Sequence, residues 1–297
     1  MFHGLSAFPI TPLRDDRIDD AAFRSLIQRL AASGVDSITA LGSTGCYAYL
    51  SREERGTAIA ASVAEAGDTP VFAGIGGLRT SQVQQLADDA QHAGAAAVLL
   101  APMTYQTLTN DDVYTLYEDV TKGLSVPLIV YDNPGTTHFT FTDELYAAVA
   151  TLPNVSSIKI PGVSLGADEL RARIADLRRI LPPHVTIGVS GDAYGAAGLN
   201  AGCEAWYSVI AGTLPQHPLA ITRASQRGDG DEAIALAAQW QPLWVLFAKH
   251  GSLRVTAAIA EILEYVRRPS LPRPILGLSE ADRNVVADVL RTISVTL

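Results

Sequence analysis

The sequence predicts an α/β chain: a (β/α)8 TIM barrel followed by a C-terminal helical extension. Three observations carry that expectation. Eight short apolar runs recur along the chain as far as Gly212, bounded by Gly, Pro or Asp. Longer amphipathic segments lie between them. The strand-like runs then stop, and from about Asp231 the pattern is helical.

The eight runs are Leu5–Ile10, Asp36–Gly42, Pro70–Gly76, Ala96–Pro102, Pro127–Pro134, Val155–Gly162, Val185–Asp192 and Glu204–Gly212. Strands apolar throughout and alternating with helices belong to a parallel sheet covered on its outer face. Among the intervening segments, Ala21–Ala32 places Phe23, Leu26, Ile27 and Leu30 on one stripe behind Asp19 and Asp20, which favour a helix start. Ser51 with Glu54 spells a capping box. Thr80–Ala93, Asp111–Lys122, Thr142–Leu152 and Ala167–Ile180 read likewise. Eight units by about residue 228 match a closed barrel in size. An open doubly wound sheet usually has fewer strands, and its nucleotide-binding form carries GxGxxG after the first strand. The Gly-rich turn here, Gly74–Ser81, lacks that spacing and follows the third run. Residues 1–228 are therefore expected to form the barrel and 229–297 the extension, with helices over Asp231–Lys249, Ser252–Val266 and Ser279–Ser294.

Composition narrows the function classes. The 297 residues carry a formal charge of −9, unsuited to nucleic acid or an anionic membrane surface. The two cysteines, Cys46 and Cys203, form no CxxC or His/Cys cluster, so neither a disulfide framework nor a metal site is expected. The longest apolar stretch, about ten residues around Gly94–Met103, is short of the roughly 20 that a membrane span needs. The N-terminal segment lacks the basic and apolar regions of a secretory signal, and the cytoplasm is the expected location.

A barrel enzyme builds its site at the C-terminal ends of its strands. Of three lysines, Lys122 and Lys249 close helices, where a cation complements the dipole. Lys159 instead sits between two isoleucines inside a strand run. A buried ammonium is costly unless paired or neutralised. Neutralised, it is a nucleophile toward a carbonyl; paired with a buried carboxylate, it is structural. Tyr131 ends the preceding run, and a phenol beside an amine is suited to shuttling protons. Alone it reads as a packing tyrosine. Ser43-Thr44-Gly45 turns from strand to helix with two hydroxyls and free N–H groups, a cradle for a carboxylate.

Together, GSTG at Gly42–Gly45, Tyr131 in YDNPG and Lys159 in SIKIPG resemble the G-[ST]-T-G-E, Y-N-x-P and I-K signatures of the dihydrodipicolinate synthase / N-acetylneuraminate lyase family, in matching order over Phe2–Gly212. The resemblance implies a class I, metal-independent lyase with no cofactor. Lys159 would form an imine with pyruvate or a similar 2-oxo acid, Tyr131 would relay protons, and Ser43, Thr44 and the Gly45 amide would hold the carboxylate. It also implies a homo-oligomer, a dimer or a tetramer of two tight dimers.

Departures from the signatures bear on the second substrate, expected to be an aldehyde. Cys46 stands where the family has Glu. The stretch APMTYQTL has Thr104 and then Tyr105, one place beyond the family's tyrosine, as a candidate catalytic residue. Thr136 takes the place of the arginine by which dihydrodipicolinate synthases grip a carboxylate. Asp192 is followed by Ala193 rather than Glu, and Ser208 matches a polar position of the sialic-acid lyases. Asn133, Thr136, Asp192 and Ser208 are thus the candidate contacts to the aldehyde, while His138 reads more simply as a loop histidine bonded to backbone. The main expectation is a Schiff-base lyase acting on a sugar-acid-like substrate. Lysine-biosynthetic 4-hydroxy-tetrahydrodipicolinate synthase is the second, and a non-catalytic barrel that binds a 2-oxo acid the third.

Overall fold

A computed structural model describes residues 1–295 of the chain. Eight parallel strands close into a barrel: β1 (Gly4–Ala7), β2 (Ser37–Ala40), β3 (Val71–Gly74), β4 (Ala97–Leu100), β5 (Leu128–Tyr131), β6 (Val155–Ile160), β7 (Thr186–Ser190) and β8 (Ala205–Ser208). Each lies beside its neighbours in chain order, and β1 pairs with both β2 and β8 to close the ring. Every strand falls within or overlaps one of the eight apolar runs. A short antiparallel ribbon, Leu13–Arg14 with Arg17–Ile18, follows β1.

Helices α1 (Asp20–Ser33), α2 (Arg52–Glu65), α3 (Thr80–His92) and α4 (Asn110–Thr121) follow the first four strands. The short α5 (Pro134–Thr137), α6 (Asp143–Ala150), α7 (Ala167–Ile180), α8 (Gly195–Asn200) and α9 (Gln216–Gln226) complete the ring. Local signals start several of these helices. The Asp19 side chain accepts from the Ala22 N–H, and Ser51 and Glu54 form a reciprocal capping box. The α1 stripe of Phe23, Leu26, Ile27 and Leu30 is buried as its spacing predicts.

The strands divide their side chains between two apolar layers. Outward-facing Leu128, Val130 and Ile158 join the helices in the main core. Inward-facing Phe72, Leu99, Ile129, Tyr131 and Tyr207 fill the barrel with Phe8. This period-2 alternation decides what Lys159 faces: Ile158 and Ile160 belong to the outer layer, so Ser157 and Lys159 point into the barrel.

Beyond the barrel come α10 (Gly230–Ala238), α11 (Gln241–His250), α12 (Ser252–Ile262) and α13 (Glu280–Thr292). One helix was expected over Asp231–Lys249, and two are found. Pro242 is the reason: it lacks an N–H, and its ring would clash with the carbonyl four residues back, so the chain restarts with Pro242 in the first turn of α11. Ala233 of α10 packs into the barrel's own core, whereas Trp240, Leu243, Trp244, Ile259 and Leu290 form a second core with Ile210 and Leu214. Among the described residues no helix is long and apolar enough to cross a membrane.

Candidate active site

The barrel register places Lys159 of β6 directly beside Tyr131 of β5. The three lysines separate as their settings predict. Lys122 and Lys249 are well exposed and face acidic side chains, whereas Lys159 is only 4% exposed. Its Nζ lies 3.7 Å from the centroid of the Tyr131 ring and 5.4 Å from that of Phe8. Burial pulls the ammonium below its ordinary pKa of 10.5, while the Tyr131 phenol and the charges of Asp192 and Asp132 pull it partly back. The result is an amine that loses its proton more readily than a surface lysine.

The Tyr131 hydroxyl lies 3.1 Å from Ser43 Oγ and accepts from Asn133 Nδ2 at 2.8 Å. Ser43 reaches it because the turn after β2 presses against Phe8. A Cβ on Gly42 would come within 2.5 Å of that ring, so a side chain there would displace the turn. Ser43–Gly45 is a single 3-10 turn. Its opening N–H groups, those of Ser43 and Thr44, have no acceptor within the turn and suit a carboxylate. The Gly45 amide, expected in that cradle, instead donates to the Gly42 carbonyl at 2.9 Å, because closing the turn uses its hydrogen.

The other candidate residues divide. Asn133 also donates to Thr136 Oγ1 at 3.0 Å, so Ser43, Tyr131, Asn133 and Thr136 form one hydrogen-bonded cluster. Asp192 and Ser208 come together, but as partners of one another. Ser208 Oγ donates to Asp192 Oδ1 at 2.8 Å, and the same carboxylate accepts the Val209 and Ile210 N–H groups. Gly191 makes this possible with φ of 80°, which turns the chain so that the carboxylate faces back onto the end of β8. Tyr105 is 87% exposed and takes no part in the cluster. The His138 side chain is exposed, and its backbone in the left-handed region closes α5. Cys46 is buried against Ala257 and Leu271, and burial pushes its thiol up to about 12, so it serves packing.

One residue near the site was not singled out from the sequence. Asp132 lies between Tyr131 and Asn133, is buried, and accepts from the Tyr146 hydroxyl at 2.5 Å. Its other oxygen has no partner, and burial raises its pKa to about 6. The available signal was a carboxylate where the resembling signature has an amide. A hollow of about 190 Å³ opens at the mouth, lined in part by Ser43, Tyr47, Tyr49, Met103, Thr104 and Thr136. Among the described residues no group of three or more His, Cys, Asp or Glu side chains is placed to hold a metal ion.

The arrangement combines a buried amine, a phenol at its side and an anion cradle above them. Comparison with known proteins gives these parts a context. The chain is 29% identical to the 4-hydroxy-tetrahydrodipicolinate synthase of Nitrobacter hamburgensis, over 91% of this chain and 91% of the relative. It is 29% identical to the enzyme of the same name from Phenylobacterium zucineum, over 98% and 97% of the two chains. A crystal structure of dihydrodipicolinate synthase from Agrobacterium tumefaciens superposes with a TM-score of 0.94 at 46% identity, covering 99% of this chain and 98% of that one. The model of the dihydrodipicolinate synthetase family matches residues 1–293, and the chain belongs to that family.

Proposed function

We propose that this chain is a pyruvate-dependent, Schiff-base-forming lyase or aldolase that condenses pyruvate with, or releases it from, an aldehyde partner of sugar-acid type, acting in the cytoplasm as a homo-oligomer. The observation that carries the reading is the Lys159–Tyr131 pair, a buried amine 3.7 Å from the ring of a phenol whose hydroxyl meets Ser43. The free amine of Lys159 attacks C2 of the oxo acid. Tyr131 gives its proton to the carbinolamine hydroxyl, which leaves as water, and the phenolate then takes a proton from C3 to leave the enamine. The N–H groups of Ser43 and Thr44 hold the carboxylate. The enamine carbon adds to the aldehyde, or in the reverse direction the C–C bond breaks, with the imine nitrogen as electron sink. In this reading residues 1–228 are the catalytic barrel and 229–297 its extension, while Thr136, exposed at the mouth, faces the aldehyde.

Borohydride reduction in the presence of pyruvate tests the reading. Peptide mass spectrometry is expected to find the reduced pyruvyl adduct on Lys159, and its absence sinks the proposal. The curated relatives' name favours a second reading, condensation of pyruvate with aspartate semialdehyde. An uncharged Thr136 at the clamp position opposes it, since a missing bidentate contact to a carboxylate costs several kcal/mol of selection. Condensation at an ordinary enzymatic rate would establish the second reading. The oligomer is supported by the exposure of Tyr49, Leu78 and Tyr105, with Tyr49 and Leu78 rimming adjoining hollows that share Met103. Sedimentation velocity reading a monomer at micromolar concentration would remove that part.

A further inference from the structure

The Tyr131 oxygen has two neighbours of different chemistry. Ser43 Oγ, at 3.1 Å, is a hydroxyl that both accepts and donates, so it passes protons. Asn133 Nδ2, at 2.8 Å, only donates. The second hydrogen of the same amide goes to Thr136 Oγ1 at 3.0 Å, which fixes the orientation of the group. The backbone fixes it as well. The Asn133 carbonyl accepts from the Thr136 and Thr137 N–H groups, both at 2.9 Å, and from Thr137 Oγ1 at 3.0 Å, so the α5 turn folds Thr136 back over the Asn133 side chain. Thr104 Oγ1 donates to the Thr137 carbonyl and ties this turn to the loop after β4.

We propose that Asn133 is a positioning residue for proton transfer: its amide donates to the Tyr131 oxygen, leaving the phenolic hydrogen free for the reacting centre and stabilising the phenolate once that hydrogen has gone. This deepens the proposed Schiff-base reading and rests on it. The amide carries no proton through, so protons exchanged with solvent travel by way of Ser43. In the dehydration step, the Tyr131 O–H bond breaks as the carbinolamine C–O bond breaks and water leaves. The phenolate then takes the C3 proton while the C–H electron pair becomes the enamine double bond. Asn133 acts on both halves by holding the oxygen's charge between them. A charge-assisted hydrogen bond of this kind corresponds to about a 10- to 100-fold change in rate.

The test needs no aldehyde. Exchange of the pyruvate methyl hydrogens with D2O, followed by NMR, reads enamine formation, and equilibrium borohydride trapping reads the adduct. Asn133→Asp is near-isosteric but turns the donor into an acceptor facing the phenol. Exchange is expected to fall 10- to 100-fold or more while Lys159 is still trapped. Asn133→Asp exchanging at the wild-type rate would overturn the inference, as would wild-type protein that traps pyruvate but exchanges nothing. Wild-type protein that traps no pyruvate would instead overturn the Schiff-base reading beneath it. If Asn133→Asp loses trapping as well, Thr136→Val decides. That variant frees the amide to rotate and is expected to slow exchange several-fold with trapping intact; an unchanged rate counts against the assignment.

Discussion

Replacing Lys159 by Met is expected to abolish adduct formation and at the same time to stabilise the fold. The side chain is 4% exposed, so the ammonium has left water almost completely. Its carboxylate neighbours are held elsewhere: Asp192 by Ser208 and two backbone N–H groups, Asp132 by Tyr146. Neither is left without a hydrogen-bond donor when the amine goes. Exchanging a buried ion for an apolar side chain of similar length is worth about 1–4 kcal/mol. Losing the 3.7 Å contact over the Tyr131 ring takes back about 1–2 kcal/mol. Set against each other, these two ranges leave a net gain at pH 7 centred on about 1 kcal/mol and spanning about −1 to 3 kcal/mol. The pH dependence gives the argument its sign. Burial lowers the folded-state pKa below the ordinary 10.5, so between the two values the unfolded chain binds the extra proton. Wild-type stability from this group therefore rises with pH across that window, and the advantage of Lys159→Met is largest below the folded-state pKa and closes above about 10.5. Urea unfolding of both proteins at pH 7 and above pH 10 measures it. A variant destabilised at pH 7 by about 1 kcal/mol or more would refute the reasoning, as would a gap that does not change with pH.

Tyr131→Phe keeps the ring beneath Lys159 and removes the bonds to Ser43 and Asn133, so it is expected to fold with a loss of about 1–3 kcal/mol. Methyl exchange of pyruvate should fall about 10²- to 10⁴-fold with the Lys159 adduct still trappable, and a loss below tenfold contradicts the proton-relay role. Asp132→Asn keeps an acceptor for Tyr146 and removes a carboxyl whose pKa is raised to about 6 by burial. The wild-type contribution from this group is present below pH 4 and is lost as pH rises through 6. The variant should therefore gain about 2–3 kcal/mol on wild type between pH 4 and pH 8, read from urea midpoints. Losing that charge also lowers Lys159 further, so trapping should reach its midpoint at lower pH than in wild type. Asp192→Asn keeps an acceptor oxygen for Ser208 and Val209 but sets an amide N–H against the Ile210 N–H, and should cost about 1–3 kcal/mol by urea midpoint, with Asp192→Ala, which leaves all three donors without this acceptor, costing more.

What the chain's order of residues determined by itself is what depends on local period and on elimination. Eight apolar runs separated by amphipathic segments specify a closed parallel barrel, because a strand buried on both faces reads as continuous apolar sequence. Two lysines at helix ends leave Lys159 as the unexplained one, and strands adjacent in chain order put Tyr131 beside it. Tertiary structure decided the properties that depend on where a hydrogen or a lone pair points. The Gly45 amide looked free in sequence and is closed into its own turn. Asp192 and Ser208, 16 residues apart, looked like two contacts for a second substrate and satisfy each other instead. Asp132 stood in the sequence only as the acidic residue between Tyr131 and Asn133, and the structure directs it outward against Tyr146. Asn133 shows the division most clearly. Its identity marks a turn before Pro134, but whether its amide faces solvent, substrate or the Tyr131 phenol depends on the path of α5, set by hydrogen bonds to its own carbonyl and by Thr104 from the neighbouring loop. Side-chain hydrogen bonds between distant segments have no period, and so leave no trace in sequence.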